Sequence, residues 1–95
     1  MNKLPIEIGS VVISKAGRDE GRLFLVVAEV DADFVLVANG RLRGMNRLKK
    51  KRRKHLKPTG VVVNALRERL SAGLPVEDHE LRSWLNEEEE KLVQV

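Results

Sequence analysis

The stretch from Leu23 to Val30 (LFLVVAEV) constrains this chain more than any other. Read as a strand, it turns Leu23, Leu25 and Val27 to one side and Phe24, Val26, Ala28 and Val30 to the other. A sheet open to water on one face would carry polar residues on that face. This strand therefore needs apolar cover on both sides, and the rest of the chain has to supply it. The uninterrupted apolar part ends at Ala28, far short of the roughly 20 residues of a membrane helix. The opening MNKLPIEIG has no apolar core segment of the kind a secretory signal carries. With no cysteine in 95 residues there is neither a disulfide framework nor a thiolate site. Together these features point to one small cytoplasmic domain without a membrane segment.

Strand grammar continues around that centre. Ile8 to Ser14 is apolar and β-branched and ends at the loop Lys15-Ala16-Gly17-Arg18-Asp19-Glu20-Gly21. Asp31-Ala32-Asp33 has turn composition, and Phe34 to Ala38 forms a third run. Asn39-Gly40 suits a two-residue hairpin, which predicts a fourth strand through Arg41-Leu42-Arg43. From Thr59 onward the period changes: Val62, Leu66 and Leu70 stand four apart, with Thr59 as N-cap and Ser71-Ala72-Gly73 followed by Pro75 as the stop. Leu81, Trp84, Leu85 and Leu92 predict a second helix entered near Glu77 or Asp78, with Trp84 against the outer face of the sheet. The expected fold class is mainly β, a small antiparallel barrel or sandwich (residues 1–58, with a basic loop at 41–57) followed by a C-terminal helical hairpin packed on it (residues 59–95).

Charge along the chain is distributed unevenly. Residues 41–57 hold ten cations (Arg41, Arg43, Arg47, Lys49, Lys50, Lys51, Arg52, Arg53, Lys54 and Lys57) and no acid. The flanking blocks are net acidic, so the overall charge of +4 conceals the segment. As a strand, Lys49 to Lys54 would be charged on both faces, and as a helix it has little apolar side. The segment therefore reads as an extended, exposed loop poised for a polyanion. Neutralising about 5–7 phosphates would cost roughly two orders of magnitude in affinity between about 50 and 200 mM salt. Such contacts grip a backbone without reading sequence. With Tyr absent and both Phe residues in apparent core runs, a base-stacking platform is not expected. A structured RNA backbone fits better.

A second basic element is the Lys15–Arg22 loop, where Gly17 and Gly21 permit positive φ and Lys15, Arg18 and Arg22 offer phosphate contacts. The stretch from Gly9 to Arg22 (GSVVISKAGRDEGR), with the apolar run to Asp31, resembles a KOW motif. Together with FVLV and KHLKPT, the series is similar to the ribosomal protein L-fourteen-e family of the archaeal and eukaryotic large subunit, and to small bacterial KOW-containing relatives. The resemblance spans about residues 7 to 59. It implies an SH3-like barrel that binds RNA, usually ribosomal RNA. By position, Gly21 would be the central glycine, Lys15, Arg18 and Arg22 loop contacts, and His55, Leu56 and Lys57 part of the closing strand. Glu20 stands where many such motifs carry Lys.

Catalysis finds little support in the sequence. His55 and His79 are the only histidines, too few for a histidine-rich metal site, and the neighbours Asp78-His79-Glu80 point apart on a helix. Neither a nucleophile elbow nor a phosphate-binding G-x-x-x-x-G-K-[ST] occurs. No metal and no cofactor are expected. The rival to RNA binding is an SH3-like module that recruits an acidic protein partner, although its usual aromatic-lined groove conflicts with an aromatic content of 3%. The run Glu87 to Glu90 reads either as a solvated helix face or as an arm folded back on Lys49–Lys54. The expected state is a monomer that meets RNA of the large ribosomal subunit.

Overall fold

A computed structural model describes residues 4–93, with side chains described as far as Lys91. Five strands are followed by two helices: β1 (Ser10–Ser14), β2 (Leu23–Glu29), β3 (Phe34–Ala38), β4 (Lys49–Arg52), β5 (Leu56–Val62), α1 (Asn64–Ser71) and α2 (Asp78–Val93). The strands form one antiparallel sheet in the order β4-β3-β2-β1-β5. Short 3-10 turns sit at Gly17–Asp19 and Arg53–His55.

The two apolar faces of β2 each find their cover. Val12, Phe24, Val26, Val35 and Val37 lie on one side, closed by Leu56 and by Ile6 of the N-terminal segment. Val11, Leu23, Leu25, Val27 and Ala38 lie on the other side, under Leu66 of α1 and Leu81 and Leu85 of α2. The register sets this partition, with Leu25 opposite Ala38 and Val26 opposite Val37. The result is a small barrel-like β domain with two helices over one face. Trp84 packs against the outer cluster half-buried, with the Arg69 guanidinium 5.7 Å from its ring centre. Leu66 and Leu81 are fully enclosed, so truncating either to Ala would cost about 2–5 kcal/mol. Leu92 belongs to α2, but its side chain lies outside the described residues.

Three local expectations give way. Asn39-Gly40 does not close a two-residue hairpin. The Asn39 Oδ1 accepts from the backbone N–H groups of Arg41 and Arg43, and the Arg43 carbonyl accepts from those of Asn39 and Gly40. Arg41 and Arg43 therefore sit in a compact turn, and the fourth strand begins only at Lys49. Glycine is required here because α2 approaches: a Cβ on Gly40 would collide with the Asp78 carbonyl and one on Gly44 with the Asp78 carboxylate. The same carboxylate accepts from the Met45 N–H at 2.8 Å, which pins the start of α2 to the loop.

Thr59 is not a helix cap. It lies in β5 and its hydroxyl donates to the Val11 carbonyl, while the helix starts at Asn64. Pro58 and Gly60 disguise this strand in the sequence, yet β5 is an edge strand, where a missing N–H is tolerated. The stop at Ser71-Ala72-Gly73 is as expected, with Gly73 at φ +71°.

Candidate nucleic-acid interface

The cationic run is not an extended exposed loop. Lys49 to Arg52 form strand β4 on the edge of the sheet beside β3, and Arg53 to His55 form the 3-10 turn into β5. Strand alternation divides the run, and its two faces have different surroundings.

Lys49, Lys51 and Arg53 are held internally. Lys51 stands opposite Val35, so it points to the side of the Val12–Phe24 cluster and is 8% exposed. Its ammonium donates to the Ser14 Oγ at 2.7 Å, lies 3.7 Å from the Asp19 carboxylate, and sits 5.6 Å from the Phe24 ring centre. Ser14 in turn donates to the Ala16 carbonyl. The bond from Lys51 to Ser14 links the edge strand β4 to β1, although β3 and β2 stand between them in the sheet. Lys49 donates to the same Asp19 carboxylate at 2.7 Å. Asp19 is held below the ordinary carboxylate range by that hydrogen bond first, and further by the positive charges of Lys49, Lys51 and Arg22. Lys51 is pushed below the ordinary lysine range, by burial first and by repulsion from Lys49 second, with Asp19 opposing both.

Arg53 spends three of its N–H donors on the Asp31 carbonyl, the Ile6 carbonyl and the Glu29 carboxylate, at 3.1, 2.7 and 2.8 Å. Its backbone N–H also donates to the Asp33 carbonyl. One arginine thereby ties the 31–33 turn, the N-terminal segment and the start of β5 together. Asp31 organises that turn, accepting from the backbone N–H groups of Asp33 and Phe34, and both bonds lower its pKa.

Lys50, Arg52 and Lys54 face outward and are exposed. Lys50 and Arg52 stand over the half-buried ring of Phe34, 4.5 and 4.9 Å from its centre. Phe34 is thus no core residue, unlike Phe24, which is fully enclosed. The sequence hides this, because β3 is apolar at all five positions while the helices cover only its Ala38 end.

The other expected residues fall into two further groups. Lys15, Arg52, Arg53, Lys54 and Lys57 line one cleft of about 710 Å3, floored by Ile6, Leu56 and Pro58. Arg22 and Arg41 line a second, of about 290 Å3, with Asn39, Asn86, Glu89 and Arg82. Arg82 lay outside the sequence expectation, because it belongs to a helix predicted only for its apolar stripe. It donates to the Gly40 carbonyl, while Arg41 donates to Asn86. Arg18 and Arg47 are exposed, Arg43 is half-buried, and the His55 carbonyl accepts from the Lys15 N–H. Gly21 has φ +86° with open space where a Cβ would stand, so glycine is needed there for conformation and not for close approach.

Glu87 to Glu90 do not fold back on β4. Among the described residues no ion pair joins the two runs; Glu88 pairs with Lys91 one turn on, and Glu89 borders the Arg22–Arg41 cleft.

Over 55 residues the chain is 44% identical to the large ribosomal subunit protein eL14 of Desulfurococcus amylolyticus. The match covers 57% of this chain and 56% of that relative, so the chain spans little more than half the length of the protein it matches. The similarity agrees with the resemblance carried by the SKAGRD and KHLKPT segments. No protein-family model matches the chain.

Proposed function

We propose that this chain is a noncatalytic RNA-binding protein of the cytoplasm that contacts ribosomal RNA, as a ribosomal, ribosome-associated or assembly protein. The observation that carries this reading is the division of the cationic run. The inward cations are neutralised within the fold, whereas Lys50, Arg52, Lys54 and Lys57 are exposed on the β4–β5 side together with Lys15. The folded backbone holds these cations close together before binding, so only their side chains remain to be ordered when they meet a phosphate backbone. The similarity to a large-subunit ribosomal protein supports the same partner. Arg22 and Arg41, with Arg82, form a smaller basic surface on the α2 side that orients the RNA. In this reading the barrel supplies most of the contacts, and the helices brace its outer face and add Arg82. The protein acts as a monomer, with no metal or cofactor.

Sedimentation of the tagged protein through a sucrose gradient, from gently lysed source cells at low and high salt, tests the assignment. Co-migration with the large subunit that persists at high salt identifies an integrated component. Co-migration lost at high salt identifies a factor held mainly by charge. Migration at the top of the gradient under both conditions removes the ribosome from the account and leaves an acidic protein as the partner to seek.

A further inference from the structure

The cleft of about 710 Å3 beside the β4–β5 turn has a composition that a plain phosphate grip does not need. Its floor is apolar, made by Ile6, Leu56 and Pro58. Exposed lysines 15, 54 and 57 line it together with Arg52 and one acid, Asp33, and among the described residues these lysines enter no ion pair. Arg53 lies in the wall with a fixed orientation, since its guanidinium is bonded to Asp31, Ile6 and Glu29. A guanidinium whose edge is so largely committed has its flat face left to offer, and that face stacks on planar π systems. Apolar floor, planar cation and neighbouring free lysines together match one unpaired nucleotide: a flat base, then a sugar, then charged phosphates. The volume falls within the range of small-ligand clefts, roughly 300–1,000 Å3.

We infer that this cleft takes an unstacked nucleobase from a bulge or loop of the RNA, laid between the Arg53 plane and Pro58, with the flanking phosphates on Lys15, Lys54 and Lys57. The inference rests on the RNA-binding reading and adds selectivity to it: base-paired stems are held by charge alone, and an unpaired nucleotide supplies an additional anchor. Sequence-specific recognition of RNA generally uses such splayed bases on aromatic or arginine planes. Arginine serves as the plane in a chain with only three aromatic residues, Phe24, Phe34 and Trp84.

The test uses two RNA hairpins that differ only in a single unpaired 2-aminopurine ribonucleotide in the stem. Binding is followed by anisotropy and the environment of the base by its fluorescence. The bulged hairpin should bind about tenfold more tightly than the paired one, with a change in 2-aminopurine emission on binding. The paired variant Lys54→Gln with Lys57→Gln should erase that preference, and Arg53→Lys should do so while keeping its charge. Lys50→Gln, outside the cleft, should weaken both hairpins alike. Thermal unfolding identifies any loss of fold in Arg53→Lys, in which case the lysine pair decides. Equal affinity for the two hairpins with unchanged emission overturns the cleft and leaves the RNA-binding reading intact. Failure to bind either hairpin even at low salt overturns that reading and the cleft with it.

Discussion

Along β4 and the turn after it, Lys49, Lys51 and Arg53 each meet a carboxylate, a hydroxyl or a carbonyl, whereas Lys50 and Arg52 lie over the Phe34 ring and Lys54 borders an open cleft. These residues alternate one by one, and their chemical types are nearly the same. Within β4 what separates them is the two-residue period of a strand, which sends successive side chains to opposite faces, and the 3-10 turn that follows parts Arg53 from Lys54. On the inner face charge is a structural element, because a buried ammonium is tolerated only when its donors are met and its charge is opposed. On the outer face it is an unspent resource. A run of like charge is therefore not one functional unit, and its binding capacity is smaller than its length suggests.

Asp19 gives the largest handle on the inner face, since it is the shared counter-ion of Lys49 and Lys51. Asp19→Asn leaves two close ammonium groups unopposed and should destabilise the fold by about 1–3 kcal/mol. That corresponds to a fall of roughly 5–20 °C in the unfolding midpoint of a domain this size. RNA affinity at low salt should hold or rise, because an acid is removed and Lys49 is released. An unchanged midpoint would dissolve the distinction between the two faces.

The pH dependence of stability sharpens the comparison. Asp19 has its folded pKa depressed, so its contribution is present above the unfolded value near about 4 and is lost as pH falls through the folded one. Lys51 is also depressed, but a depressed lysine acts in the other sense. The folded chain gives up this proton before the unfolded chain does, so stability rises with pH between the folded value and about 10.4. Urea unfolding across this range should show the alkaline gain in the wild-type chain and not in Lys51→Met. Parallel curves for the two proteins would mean that Lys51 is not the group responsible.

Glu29→Gln should have the smallest effect. Its pair with Arg53 is half open to water, and Arg53 keeps two carbonyl partners without it. A loss within about 1 kcal/mol by chemical denaturation is expected, and a larger one would make Glu29 a principal anchor of the turn.

Much of the fold was legible because its signals are local. The runs at β1, β2 and β3, the Asp31–Asp33 turn and the start of α2 follow from period and turn chemistry alone. The two-sided apolar pattern of β2 also foretold that the helices must cover one face. Strand β4 was not legible, since its inner cations make sense only with Asp19 and Ser14, 30 and 37 residues away. Helical spacing of Val62, Leu66 and Leu70 drew Thr59 into a helix, although Val62 ends a strand that pairs with β1. At the candidate site, composition located the cations but could not divide them, and it placed Phe34 in the core because its partial cover depends on where two distant helices end.

The central claim is that Lys50, Arg52 and Lys54 bind and that the inward lysines of β4, Lys49 and Lys51, build. The most direct test is the triple variant Lys50→Gln, Arg52→Gln, Lys54→Gln, with RNA affinity measured across a salt series beside its unfolding midpoint. Losing three phosphate contacts should make the log–log salt slope shallower by about 2 and weaken binding at low salt at least ~tenfold. The midpoint should stay within about 5 °C of the wild-type value. Wild-type affinity and slope in this variant would contradict the account, as would a protein that fails to fold.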